Sequence, residues 1–292
     1  MPDKLKGDVL MRKPISVIIH TFNEEKNIRN CLECVKWADE IIVVDMYSDD
    51  KTIEIAQGYT DKIFMYERSG YADPARKFAL EQASSEWILV VDADELVPMK
   101  LQRVLIDIAE SDKYDAVLIP HLNYFFGYPM KGTGWGPLQD MHIRFFKKQY
   151  MYYSDKVHDF AHLSKDARLF RLLDKDCAFV HFNFLTVEHY IEKFNRYTTI
   201  EAQGKYKHDI PFDLKKIVIS SAKEFIRRFL FCKGYSDGFR GLSLSLLMVT
   251  YQLVINLKLK IMYECSNLNY DEVIRLKYNK IAEQIRAEYS EE

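Results

Sequence analysis

Five short apolar, β-branched runs recur through the first 120 residues, and the first, second and fourth end in a cluster of acids or hydroxyls. Ile15-Ser16-Val17-Ile18-Ile19, Ile41-Ile42-Val43-Val44, Lys62 to Tyr66, Trp87 to Val91 and Ala116 to Ile119 read as strands. Between them, apolar residues recur at helical spacing: Ile28, Cys31, Leu32 and Val35; Thr52 to Gln57; Ala75, Phe78, Ala79 and Ala83; Leu101, Val104, Leu105 and Ile108, with Pro98 in the first turn. Strand–helix alternation of this kind builds a parallel sheet with crossover helices, and near-continuous Val/Ile runs mean strands covered on both faces. Ligands of such sheets bind beyond the carboxyl ends of the strands. Thr21-Phe22-Asn23-Glu24, Asp45 to Asp50 and Asp92-Ala93-Asp94-Glu95 all fall there, so the three clusters are expected to meet in one pocket.

After Pro120 the pattern changes. Gly127, Gly132, Gly134 and Gly136 mark a long loop, expected to order over a bound ligand and exclude water, and Ile143-Arg144-Phe145-Phe146 returns as a strand. From Thr186, a candidate N-cap, the chain reads as helical, with Val187, Tyr190, Ile191, Phe194 and Tyr197 on one face. Ser236 to Gly241 reads as a corner before an apolar helix. The expected division is a catalytic domain over residues 1–185, with a donor half at about 14–120 and an acceptor half at about 121–185, then a helical region over 186–292.

The net charge of −2 provides no broad field for nucleic acid, and nucleic acid is not expected as a partner. The total conceals a segment, Lys205 to Lys260, with 11 basic against 4 acidic residues. Basic and aromatic together, residues 205–260 are a candidate for peripheral contact with anionic lipid, and the helical region is also a candidate homo-oligomer surface. The run Leu242 to Leu257 is broken by Ser243, Ser245, Thr250, Gln252 and Asn256, which favours an interfacial or buried helix over a membrane span. Five cysteines and a charged start without an apolar signal core point to the reducing cytoplasm, including the inner face of the cytoplasmic membrane. Cys31 and Cys34, three apart on a helix, read as core thiols, since no second pair completes a zinc site.

Asp92 and Asp94 point to the same side of an extended segment. Their hard oxygens suit Mn2+ or Mg2+ bridging a diphosphate, or a ribose hydroxyl. Phe22 can stack on a nucleobase while Glu24 hydrogen-bonds the nucleoside, with Asn23 as helix cap the structural alternative. Asp45 can accept from a pyrimidine N–H or a ribose hydroxyl, and Ser48 and Asp50 read as caps of the following helix. Arg76 opens a helix where a guanidinium fits phosphate oxygens.

The segments Ile15 to Glu25, Glu40 to Asp50 and Val90 to Glu95, in that order and spacing, resemble family-2 inverting glycosyltransferases of the GT-A fold, in particular the lipopolysaccharide-core β-glucosyltransferase-like members. The resemblance implies that Thr21, Phe22, Glu24 and Asp45 contact the nucleoside, that Arg76 lies near the uracil or phosphates, Asp92 near the ribose and Asp94 on the metal. Phe22 stands where members commonly have Tyr, and Tyr47 where they have Gly. On the acceptor side Trp135, Asp140, Ile143-Arg144-Phe145-Phe146 and Val157-His158-Asp159 follow the family order, with Asp159 in place of the usual Glu.

Inversion needs one carboxylate to take the acceptor's proton, and Asp140 is the first candidate, Asp159 the second; loop capping or an ion pair with Arg144 is the alternative role of each. Trp135 and His158 are acceptor-binding candidates, and His181 is a further metal ligand or else a satisfied core histidine. The expected function is metal-dependent transfer from a nucleotide-diphosphate sugar, favoured as a UDP-sugar, to a glycan or lipid-linked glycan of the cell envelope. A non-catalytic nucleotide-sugar-binding scaffold is the alternative from another class. A pyrophosphorylase or a dinucleotide enzyme needs a glycine-rich turn after the first strand, and no glycine occurs between Gly7 and Gly58.

Overall fold

The computed structural model describes residues 12–67, 73–152 and 162–289, which form two compact units. The first comprises the chain to Met130 and Trp135–Asn183; the second comprises Lys131–Gly134 and the chain from Phe184.

In the first unit the elements run β1 (Ile15–Thr21), α1 (Ile28–Val35), β2 (Glu40–Asp45), α2 (Thr52–Gln57), β3 (Ile63–Met65), α3 (Asp73–Gln82), β4 (Trp87–Asp92), β5 (Glu95–Leu96), α4 (Met99–Ser111), β6 (Ala116–Phe125), β7 (Tyr128–Pro129), β8 (Met141–Lys147), β9 (Met151–Tyr152), β10 (His162–Leu163), β11 (Leu169–Arg171) and β12 (Phe179–Phe184). The main sheet has the order β3-β2-β1-β4-β8-β6-β12-β5, with β7 and β11 also on β6. Strands β3, β2, β1 and β4 are parallel, as the strand–helix alternation predicts. Beyond β4 the sheet is mixed: β8 inserts antiparallel to both neighbours between β4 and β6, and β11 runs parallel to β6.

Successive side chains of β1, β2 and β4 supply two cores. Val17, Ile19, Val43, Leu89 and Val91 pack with Cys31, Leu32 and Val35 of α1 and with Leu101 and Leu105 of α4. Ile18, Ile42, Val44, Ile88 and Val90 pack with Ala75, Ala79 and Leu80 of α3 on the other face. Each fully buried Ile, Val or Leu contributes about 1.5–3 kcal/mol, so these two layers fix where the strand ends lie.

Some local expectations are corrected. Pro98 is the N-cap of α4, outside the helix, with extended ψ 147. Asn23 does not cap α1, which begins five residues later at Ile28, behind Asn27. The glycine loop starts as a tight hairpin, in which Phe126 and Gly127 both take positive φ (54 and 73) between β6 and β7.

The second unit contains α5 (Val187–Lys207), α6 (Leu214–Ile226), α7 (Gly238–Cys265) and α8 (Tyr270–Glu288). Thr186 caps α5, its hydroxyl accepting from the His189 N–H at 3.1 Å. Helices α5 and α6 both pack on α7. Ser236–Gly241 does form a corner, and Asp237, buried in it, accepts from the Lys131 and Gly132 N–H groups (2.8 and 2.9 Å) and the Thr133 hydroxyl (2.9 Å). Residues 131–134, expected to order only on binding, are therefore already tied down. The apolar helix is longer than the 242–257 run. By length and composition alone Gly234–Cys265 could cross a membrane, and 22% of its most apolar window is buried within the protein.

Candidate active site

The carboxyl ends of β1, β2 and β4 meet in register: Thr21 lies beside Asp45, and His20 beside Asp92. The three polar clusters thus share one edge, as the sequence required. Two loops at that edge are laced together. The Asn23 N–H donates to Ser48 Oγ (2.8 Å), the Asp49 N–H to Asn23 Oδ1 (3.0 Å), the Glu24 N–H to Thr52 Oγ1 (2.8 Å) and the Glu25 N–H to Asp50 Oδ2 (3.0 Å). Ser48 does not cap α2; its N–H and hydroxyl donate to the two oxygens of buried Asp45 (2.7 and 2.6 Å). Asp50 does serve the start of α2, accepting from the Thr52 N–H at 2.9 Å. Tyr47, where the resemblance implied glycine, adopts φ 59 itself and is exposed, so the turn accommodates its side chain.

At the end of β4 the two aspartates face different partners. Asp92 accepts from Arg144 at 2.6 Å and lies 3.7 Å from Arg76. Burial alone would raise its pKa, but Arg144 and then Arg76 hold it far below the usual carboxylate range. Glu95, fully buried, accepts from the Asp92 N–H (2.9 Å) and Arg144 (3.2 Å), and its Oε1 lies 3.2 Å from His121 Nε2. Burial opposes its ionisation, but Arg144 lowers its pKa. His20 is buried; burial, then Arg76, lower its pKa to about 4, so it is neutral.

Asp94 faces a residue 87 positions later. Strand β12 pairs with β5, His181 opposite Glu95, and sets His181 Nε2 3.5 Å from Asp94 Oδ2. Burial pulls the His181 pKa down, but the hydrogen bond that a protonated ring donates to Asp94 outweighs it and raises the value.

Asp140, just before β8, accepts from Asn123 Nδ2 (2.7 Å) and lies 2.8 Å from His142 Nε2. Burial would raise its pKa; His142, then Asn123, bring it down to about 2. Trp135 stacks at a tilt on Phe125, ring centroids 4.8 Å apart. Phe22 and Glu24 are half-buried at the tip of β1, and Glu24 accepts from the Asn27 amide at 2.7 Å. Asp159 and His158 lie outside the described residues.

Sequence reasoning missed His121 and Asn123 as members of this centre; it placed Glu95 in the cluster without a role of its own, and gave Arg144 Asp140 or Asp159 as partner rather than Asp92. Asn123 and His121 carried a signal: both occupy inward positions of β6, where alternation would place apolar side chains.

A doubly covered α/β sheet with acids, arginines and a histidine gathered at its carboxyl edge defines a ligand-binding centre of the α/β class. The family model for glycosyl transferase family 2 matches residues 16–171, and the chain belongs to that family. It is 27% identical over 243 residues to an uncharacterised glycosyltransferase of Rickettsia typhi, spanning 78% of this chain and 80% of the relative. It is 28% identical over 226 residues to the lipopolysaccharide core biosynthesis glycosyltransferase LpsC of Rhizobium meliloti, spanning 75% and 82%. Among solved structures it is similar to S. aureus TarS residues 1–349, at 17% identity and TM-score 0.46, covering 87% of this chain and 91% of that one.

Proposed function

We propose that this enzyme transfers a sugar, with inversion, from a UDP-sugar to a glycan of the lipopolysaccharide-core type, with Mn2+ or Mg2+ as cofactor. The observation that carries the reading is the divided acidic tip of β4: Asp92 neutralised by arginines, and Asp94 left facing an imidazole. A carboxylate oxygen beside an imidazole nitrogen is a donor pair that suits Mn2+. Among the described residues no group of three or more His, Cys, Asp or Glu side chains could hold a metal, so Asp94 and His181 would share the ion with diphosphate oxygens and water. Bound there, the ion would stabilise charge on the departing diphosphate.

The remaining work falls to side chains of the chain itself. Arg76 opposes the same developing charge. Phe22, Thr21 and Glu24 receive the nucleoside, and Asp45 holds the turn against which it rests. The acceptor hydroxyl oxygen bonds to the anomeric carbon, the carbon–oxygen bond to the diphosphate breaks, and its electron pair leaves on the diphosphate. Asp140 takes the hydroxyl proton. Its low pKa makes it ionised at any working pH and suits it to a late transfer, when bonding to the sugar has already acidified that proton. Trp135 contributes an aromatic face for the acceptor sugar. The lipopolysaccharide-core acceptor is supported by the similarity to LpsC over three quarters of the chain.

Location at the inner face of the cytoplasmic membrane is supported by the second unit. Val218, Ile219 and Ile226 are exposed on one arc of α6, with Lys216, Lys223 and Arg227 on the adjoining arc, and Phe231 and Phe239 are 79% and 82% exposed. Apolar side chains flanked by cations match an anionic lipid surface.

The test is release of free UDP from a panel of UDP-sugars with Mn2+, with and without a lipopolysaccharide-core acceptor, alongside the Asp94→Ala variant. Acceptor-stimulated release that needs Mn2+ and vanishes in the variant is expected. UDP-sugar binding with no release from any donor would replace this reading with that of a non-catalytic scaffold.

A further inference from the structure

Asn123 is fully buried on β6, and its amide has three polar neighbours. Nδ2 lies 2.7 Å from Asp140 Oδ2 and 3.2 Å from the Trp135 carbonyl oxygen, while Oδ1 lies 2.9 Å from His181 Nδ1. The two ends of an amide are told apart by what they can bond. An ionised carboxylate and a main-chain carbonyl only accept, so the NH2 group must face them. The amide oxygen is thereby turned to His181, and an oxygen can only accept. His181 Nδ1 must therefore carry a proton. On a neutral ring the lone pair is then left on Nε2, the nitrogen 3.5 Å from Asp94 Oδ2.

We propose that Asn123 is a positioning residue that locks His181 in the tautomer whose Nε2 is free to ligate a cation beside Asp94, while its NH2 group holds the carboxylate of Asp140. This rests on the metal-dependent transferase reading above. One buried amide then ties the donor-side ligand to the acceptor-side base. The opposite tautomer would place a proton on Nε2 and remove the ligand. Partners one bond removed from a metal ligand commonly tune affinity by about 10- to 100-fold.

The test needs no turnover. In the metal-free wild-type protein, 15N–1H correlation of the His181 ring, followed as pH is raised until the ring has lost its second proton, should show the remaining proton on Nδ1. Mn2+ affinity is then measured by calorimetry with UDP present at saturation, so that diphosphate oxygens complete the site. Asn123→Leu, near in volume but without polar atoms, should lose the Nδ1–H preference and bind Mn2+ about 10- to 100-fold more weakly. Asn123→Asp separates the two roles. Its carboxylate still accepts from Nδ1–H, so tautomer and Mn2+ affinity should stay within about threefold of wild type. Against the Asp140 carboxylate it shares one proton with that residue, which takes away the free base, so kcat should fall while the donor KM holds.

A wild-type ring protonated on Nε2, or a folded Asn123→Leu variant with wild-type Mn2+ affinity, would overturn the proposal. Should Asn123→Leu not fold, the wild-type spectrum and Asn123→Asp decide it: a tenfold loss of Mn2+ affinity in Asn123→Asp would refute the tautomer lock. Failure of the wild-type protein to bind Mn2+ even with UDP present would instead remove the metal-dependent reading, and with it the ligand half of this inference.

Discussion

Charged groups at the two edges of the same sheet are held by different means, and the difference can be measured at single residues. At the carboxyl edge Arg144 neutralises Asp92 and the fully buried Glu95. Removing one partner of a buried ionic cluster strands the others, so Arg144→Met should cost about 3–5 kcal/mol of stability, read by chemical denaturation. Asp94 is not bound up in that cluster. Asp94→Ala should leave the melting temperature near wild type while lowering Mn2+-dependent transfer by at least about 100-fold. At the amino edge, buried Glu40 accepts from the Ser84 N–H and hydroxyl, both at 2.9 Å, and also from Ser16 and Lys62. Burial works against its charge, but Lys62 and Ser16 bring its pKa down to about 2. The folded value lies below the ordinary ~4.3, so this stabilisation is complete above about pH 4.3 and is lost as pH falls through about 2. Glu40→Gln should therefore lower stability at neutral pH and flatten the acid limb of a stability-versus-pH curve.

Elements differ in what fixes them. Helix α5 starts where the Thr186 hydroxyl meets the His189 N–H, and Thr186→Ala should remove about 1 kcal/mol, visible as a small fall in the melting temperature. Close approach matters more in the second unit at Gly132. A β-carbon there would stand 2.4 Å from the Lys233 carbonyl oxygen and 2.5 Å from that of Cys232. Both obstacles are backbone, so Gly132→Ala should be destabilising by about 1–3 kcal/mol or more, a larger loss than at the cap. The glycine-rich composition of 127–136 marked this stretch as unusual. The structure assigns its glycines different duties, a positive-φ hairpin turn at Gly127 and a tight contact at Gly132.

For the molecule as a whole, the uneven charge is a prediction about where it resides. With the apolar arc of α6 beside its basic arc, the protein should co-sediment with vesicles containing phosphatidylglycerol and much less with neutral phosphatidylcholine vesicles. Binding should weaken between about 0.05 and 0.5 M salt, as the Debye length contracts. Val218→Asp together with Ile226→Asp should reduce it while leaving UDP release in detergent unchanged. Salt-insensitive self-association in place of vesicle binding would assign this face to a second copy of the chain.

The parallel half of the fold was legible because each strand is a run of β-branched residues long enough to cross a sheet, and each helix keeps its apolar spacing. Register followed from the two-sided burial of those runs, and this was enough to bring Thr21, Asp45 and Asp92 to one edge. The insertion of β8 between β4 and β6 was not legible, since an antiparallel partner distant in sequence leaves no local period. The same holds for the centre itself. Arg144 reaches Asp92 across 52 residues, and His181 reaches Asp94 across 87. Composition and spacing name the groups able to bear charge at a strand end. Which cation meets which carboxylate, and which nitrogen of an imidazole is left open, depends on distances of a few ångströms that only the packed sheet determines.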